Sequence, residues 1–160
     1  MLLKFIADGM LGKLARWLRM LGHNVKYSSK LGDEELLKIA KKEKRILLTR
    51  DLELYQQALS HNVEAFYVNG KNEAEKLAKL AKRYNFDLEI NLKTSRCPKC
   101  NARINPVLKE KVRGKVPETT FTYYNEFWEC PKCGQIYWQG SHWNRIRKTL
   151  EEARKIFKEN

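Results

Sequence analysis

The stretch "EKRILLTRDLEL", residues 43–54, decides the fold. Ile46-Leu47-Leu48 is a short apolar run with no polar alternation. It stops on Thr49-Arg50-Asp51, and a helix-like spacing begins at Leu52. A run of this kind reads as a strand buried on both faces, as in parallel sheets covered by helices. A strand that ends on a carboxylate and turns straight into a helix puts that acid at the carboxyl edge of the sheet. In open α/β folds the loops at that edge form the binding crevice.

The same pattern repeats to either side. Leu2–Ala7 is a short apolar strand followed by Asp8. Residues 10–21 have helical period. At ~100° per residue, Leu11, Leu14, Ala15, Trp17, Leu18 and Leu21 share one side, and Lys13, Arg16 and Arg19 share the other. Gly22 ends that helix. A strand over Asn24–Ser28 follows, then a helix from Asp33 to Lys44 with Leu36, Leu37, Ile39 and Ala40 inward. Arg45–Thr49 is the third strand, Leu52–Ser60 a helix, Val63–Val68 the fourth strand and 72–84 a further helix. Strands separated by helices call for right-handed crossovers and a parallel sheet. The spacing predicts an α/β unit over residues 1–94.

Three carboxylates take matching places in this pattern. Asp8 follows the first strand, Asp33 opens the helix after the second, and Asp51 follows the third. Parallel connectivity sends all three to one edge. Carboxylates that converge repel one another unless a cation lies between them, and oxygen-only donors select hard cations, Mg2+ or Mn2+. Such a cluster suits phosphodiester cleavage. The local alternative is that each Asp caps a helix. Lys13, Arg16 and Arg19 begin one turn beyond Asp8, and Arg50 adjoins Asp51. These four are candidates to hold the phosphates of a nucleic acid; otherwise the first three are the solvated face of a helix and Arg50 pairs with a nearby acid.

After residue 94 the composition changes to aromatics, Pro and Cys. All four cysteines lie in two Cys-Pro-Lys-Cys pairs, Cys97/Cys100 and Cys130/Cys133. Two such pairs offer four thiolates to one tetrahedral Zn2+, and Gly134 favours a tight knuckle. The 29 residues between the pairs exceed the ~15–20 of the common pattern, so a longer hairpin is expected there. Tyr123, Tyr124, Phe127, Trp128, Tyr137, Trp138 and Trp143 are candidates either for a small core around zinc or for stacking on unpaired bases. A helix from about Trp143, with Ile146, Leu150, Ala153 and Phe157 as its stripe, closes the chain. Residues 95–160 therefore read as a small β-rich zinc ribbon plus an amphipathic helix.

The formal net charge is +13, and four thiolates with one Zn2+ leave +11. A surface this basic points to an anionic partner, nucleic acid being the usual one; the other source of such charge is a composition suited to high temperature. No apolar run approaches the ~20 residues of a membrane span. Asp8, Lys13, Arg16 and Arg19 interrupt the N-terminal apolar stretch, and no small-residue cleavage site follows it. A cytoplasmic location is expected.

The runs "FIADGMLGKLARWLRMLGHNV" and "DEELLKIAKKEKRILLTRD" resemble the PIN-like ribonuclease family named for the C-terminal domain of the Mut-7 exonuclease. The segment from "RCPKC" through "EFWECPKCGQIYWQGSHW" is similar to the zinc ribbon that follows the nuclease-like part in that family. The resemblance implies a PIN-like three-layer fold and divalent-metal-dependent RNA cleavage, with an endoribonuclease the leading expectation. Asp8, Asp33 and Asp51 match the acids of that pattern. The runner-up is a non-catalytic zinc-containing RNA-binding module associated with tRNA or the ribosome.

Overall fold

The computed structural model describes residues 2–159. Four short strands form the parallel sheet that the apolar runs call for: β1 (Lys4–Ala7), β2 (Asn24–Tyr27), β3 (Ile46–Thr49) and β4 (Ala65–Tyr67), in the order β2-β1-β3-β4. Phe5 lies opposite Val25 on one side and Ile46 on the other, and Thr49 lies opposite Tyr67. The helices between them are α1 (Gly12–Met20), α2 (Asp33–Glu43) and α3 (Leu52–Ser60), and α4 (Glu73–Tyr84) follows β4. A single-turn 3-10 segment, Gly9–Leu11, precedes α1.

Strand alternation divides the core. Phe5, Ala7 and Leu48 face a layer built from Leu14 and Leu18 of α1 and Leu77 and Leu80 of α4. Ile6 and Leu47 face the opposite layer, with Leu36 and Ala40 of α2 and Leu54 and Ala58 of α3. Helices therefore cover both faces, so β3 has no polar residue before Thr49. This is the three-layer α/β arrangement expected from the sequence. No described helix is long and apolar enough to cross a membrane.

The second part contains β5 (Asn105–Val107), β6 (Phe127–Glu129) and β7 (Ile136–Tyr137) in an antiparallel sheet, with α5 (Glu118–Tyr123) between β5 and β6 and α6 (His142–Glu159) at the end. The long spacer does fold back as a β5–β6 pair. Its connection is not an extended loop, however. It contains a 3-10 turn, Lys109–Val112, and α5, whose Phe121 packs into the cluster around Val112 and Phe127. The α6 stripe falls where its period puts it. Leu150 and Ala153 are buried, with Ile146 and Phe157 beside them, and the helix lies against α4 in the first core.

The two parts are joined by specific bonds. Val25 on the outer strand β2 donates its N–H to Asn101 Oδ1 (3.0 Å). The Asn101 amide donates to Asn24 Oδ1 (2.9 Å). Arg96 N–H donates to the carbonyl of Arg19, and the Ser95 hydroxyl to that of Met20. An open sheet edge exposes unpaired backbone groups. Here the first cysteine knuckle covers that edge.

His23 is a polar ring in the apolar layer. It is 1% exposed, packs edge-on against Phe5 and Phe86, and accepts the Leu3 N–H at Nδ1. Its Nε2 has no hydrogen-bond partner among the described residues. Burial lowers its pKa to about 4. The unfolded chain thus binds a proton near pH 6.5 that the folded chain refuses until about pH 4. Stability is fully present above pH 6.5 and falls through that window, by up to ~3 kcal/mol at 1.4 kcal/mol per pKa unit. Urea unfolding at pH 7 and pH 4.5 should show a smaller loss for His23→Phe than for the unsubstituted chain. Equal losses would mean that other groups carry the acid sensitivity.

Candidate metal centre and acidic edge

The cysteines come together as their spacing predicts. Among the described residues, Cys97, Cys100, Cys130 and Cys133 form the one group of three or more candidate ligands whose donor atoms converge, all within 4.8 Å of one another. Cys97 and Cys133 sulfurs are 3.7 Å apart, and Cys100 and Cys130 sulfurs 3.3 Å. A disulfide needs ~2.05 Å, and none forms. Four sulfurs placed ~2.3 Å from a central Zn2+ would stand ~3.8 Å apart by tetrahedral geometry. The donor set and its dimensions fit a structural zinc.

Each knuckle turns on a left-handed residue just after its second cysteine, Asn101 (φ 75°) and Gly134 (φ 79°). Asn and Gly are the residues that tolerate this conformation. The Tyr137 hydroxyl donates to the Cys97 sulfur at 2.9 Å. Burial, and then that sulfur, push the phenol upward. Burial likewise pushes the Cys100 thiol up to about 12. Cys130 is drawn down to about 7 against its own burial, by the Cys133 N–H and the Cys100 thiol.

The acids lie at the carboxyl edge of the parallel sheet. The chain leaves β1 toward β2 on one side and returns across to β3 on the other, so the gap between β1 and β3 is the topological switch point. Open α/β sheets bind ligands at such points. Asp8 and Asp51 flank it, and Thr49 links them. The Thr49 hydroxyl donates to Asp8 Oδ2 and accepts the Asp51 N–H at 3.0 Å. Asp8 is 7% exposed and also accepts N–H groups from Met10 and Arg50. Asp51 is exposed, and its Oδ1 caps α3 by accepting from Glu53 and Leu54. Its Oδ2 makes no hydrogen bond among the described residues. Asp33 is exposed in the first turn of α2, with Gly32 as the capping residue and no bond from its own carboxylate.

The local and the functional readings of these acids therefore coexist. Asp8 and Asp51 do cap, and Asp33 does not. The three carboxylates share an edge but do not converge as the four sulfurs do.

The cations divide differently from the expected helix face. Lys13 and Arg16 are exposed on α1, and the exposed Arg50 side chain makes no bond among the described residues. Arg19 is not on that solvated face. It is 7% exposed and donates twice to the Val25 carbonyl and once to that of Pro98. Burial lowers its pKa, partly offset by the neighbouring thiols of Cys100 and Cys97. Its guanidinium ties α1 to β2 and the knuckle and is not open to an RNA phosphate.

Thr49 was not singled out in the sequence. Its signal was a hydroxyl at the last position of a fully apolar strand, because a buried polar group needs partners. Tyr27 was also missed. Its hydroxyl donates to the Gly9 carbonyl, and a Cβ at Gly12 would meet that oxygen at 2.9 Å.

The family model described as Mut7-C RNAse domain matches residues 3–150 of the chain. Comparison with curated proteins and with solved structures gives no match.

Proposed function

The chain belongs to the Mut7-C RNAse domain family, and from that membership we propose that it is a divalent-metal-dependent endoribonuclease acting at the carboxyl edge between β1 and β3. The observation that supports this reading is the pairing of Asp8 and Asp51 through Thr49 at the switch point. Mg2+ commonly binds through only one or two carboxylates and keeps its waters. Because the three carboxylates do not converge, Asp51 would hold the ion through its unbonded oxygen, and Asp8 and Asp33 would act on it through the waters it keeps. A bound Mg2+ or Mn2+ would supply positive charge against the scissile phosphate and a more acidic water. The chain's own part is orientation. Thr49 and the Met10 and Arg50 N–H groups fix the Asp8 carboxylate. Lys13, Arg16 and Arg50 hold flanking phosphates by charge and, for the arginines, by a bidentate fork. Zinc is structural in this scheme, residues 1–94 are the nuclease unit and 95–160 the ribbon with its strap helix, and the setting is the cytoplasm.

The test is incubation of the full chain with RNA in Mg2+, in Mn2+ and with neither. Internal fragments that require the cation support the proposal. Binding without cleavage in either metal would overturn it and assign the non-catalytic RNA-binding role. RNA affinity should also fall with salt. Three phosphate-contacting cations give a log–log slope of about −2 at ~0.7 per neutralised phosphate on a single strand. Arg16→Glu should flatten that slope, and a flat plot for the unsubstituted chain would tie the excess charge to something other than RNA.

A further inference from the structure

A cavity of about 230 Å3 lies where the ribbon, the C-terminal end of α1 and the start of α6 meet. Trp128, Tyr137, Trp138 and Trp143 form much of its wall, with Arg96 beside them. None of the residues lining it is acidic. The volume is below the ~300–1,000 Å3 of pockets for drug-sized ligands and leaves room for one flat ring system.

Two features mark it as more than a packing gap. Its wall holds an unmet donor: Arg96 Nε is buried without a partner among the described residues, and the half-buried Trp138 and Trp143 leave ring surface open to an incoming group. The Trp138 indole also lies close over Gly140, where a Cβ would meet its Nε1 at 2.9 Å, so a larger residue there would displace the ring. Aromatic faces and a guanidinium with an unmet N–H match the requirements of an unpaired base, which stacks on rings or on Arg and offers acceptors along its edge.

The position suits a strand of RNA. Met20 lines the cavity at one end of α1, and Asp8 precedes the other end. Gly12 to Met20 spans ~12 Å at 1.5 Å per residue, and Lys13 and Arg16 lie on that helix between the two places. We propose that this cavity holds a splayed-out nucleobase of single-stranded RNA whose backbone follows α1 to the acidic edge. The proposal rests on the RNA reading above and adds a base-binding subsite to it.

The experiment measures binding of the zinc-loaded full chain, in Mg2+-free buffer, to a labelled 12-nucleotide oligouridylate and to an abasic ribose-phosphate strand of equal length. The base-bearing strand should bind more tightly and quench tryptophan fluorescence. Trp143→Ala should weaken it by about 5- to 150-fold, the range for loss of one stacked base, without changing the salt slope. Trp143→Phe should retain most of the affinity, and zinc content checks that the ribbon of each variant is folded. Equal binding of the two strands, or Trp143→Ala binding like the unsubstituted chain, overturns the base subsite and leaves RNA binding standing. Binding to neither strand overturns the subsite and the RNA reading together.

Discussion

Stripping the metal from the four-cysteine centre, or replacing Cys130 by serine, should unfold the ribbon and also open one edge of the parallel sheet. The energetic scale makes the first part decisive. Structural zinc contributes ~10–16 kcal/mol of apparent binding free energy in zinc-finger peptides, while whole domains are stable by only ~5–15 kcal/mol. The second part follows from the bonds between the knuckle and β2. Asn101 sits one residue after a metal ligand and accepts the Val25 N–H, and Pro98, inside the first pair, receives Arg19. When the knuckle loses its shape, Val25 loses its acceptor and Arg19 one of its carbonyls. Amide exchange of Val25 should therefore accelerate by about 5- to 150-fold, given the ~1–3 kcal/mol cost of one unmet buried bond. The Leu47 amide, bonded to the Glu64 carbonyl inside the sheet, should stay protected. Unchanged Val25 protection in a chain whose ribbon has unfolded would show that the edge is held without the knuckle.

Legibility of the sequence followed the range of the interactions. Elements governed by local period were readable: Leu47-Leu48 is apolar because helices cover both faces, and the α6 stripe at Leu150 and Ala153 is buried as spaced. Arg19 shows where period fails. It shares the helical angle of Lys13 and Arg16, but that side of α1 is covered by Pro98, almost eighty residues later in the chain. The segment "ETTFTY" of α5 carries Thr, Phe and Tyr, which favour strands. It is helical because Phe121 packs into the small cluster around Val112, and tertiary packing overrides weak propensity. For the acids, topology fixed the edge but not the distances. Which carboxylate oxygen caps a helix and which stays free depends on rotamers, which no spacing reveals.

Asp51→Asn should reduce metal-dependent cleavage by ~100-fold or more, the scale of losing one electrostatic group at a reaction centre, while the fold persists. Asn caps helices about as well as Asp, and its amide oxygen can accept the Glu53 and Leu54 N–H groups that Asp51 Oδ1 now accepts. What disappears is the negative charge at the α3 N-terminus, worth ~0.3–1 kcal/mol against the helix dipole. That corresponds to at most a few degrees in Tm for a chain of this size. No compensating gain from relieved repulsion is expected, because the three carboxylates do not converge. Asp8→Asn is a poorer probe. The Asp8 carboxylate is buried and accepts from Thr49, Met10 and Arg50, so an amide NH2 group there would face donors, at ~1–3 kcal/mol for the bond left unmade. Lost activity would then be mixed with lost structure. On Asp51 the two roles separate cleanly. Cleavage like that of the unsubstituted chain, at unchanged Tm, would mean that β3 ends on an aspartate only to start α3. A loss of cleavage at nearly unchanged Tm would mean that the free oxygen of Asp51, and not its capping one, is what the reaction uses.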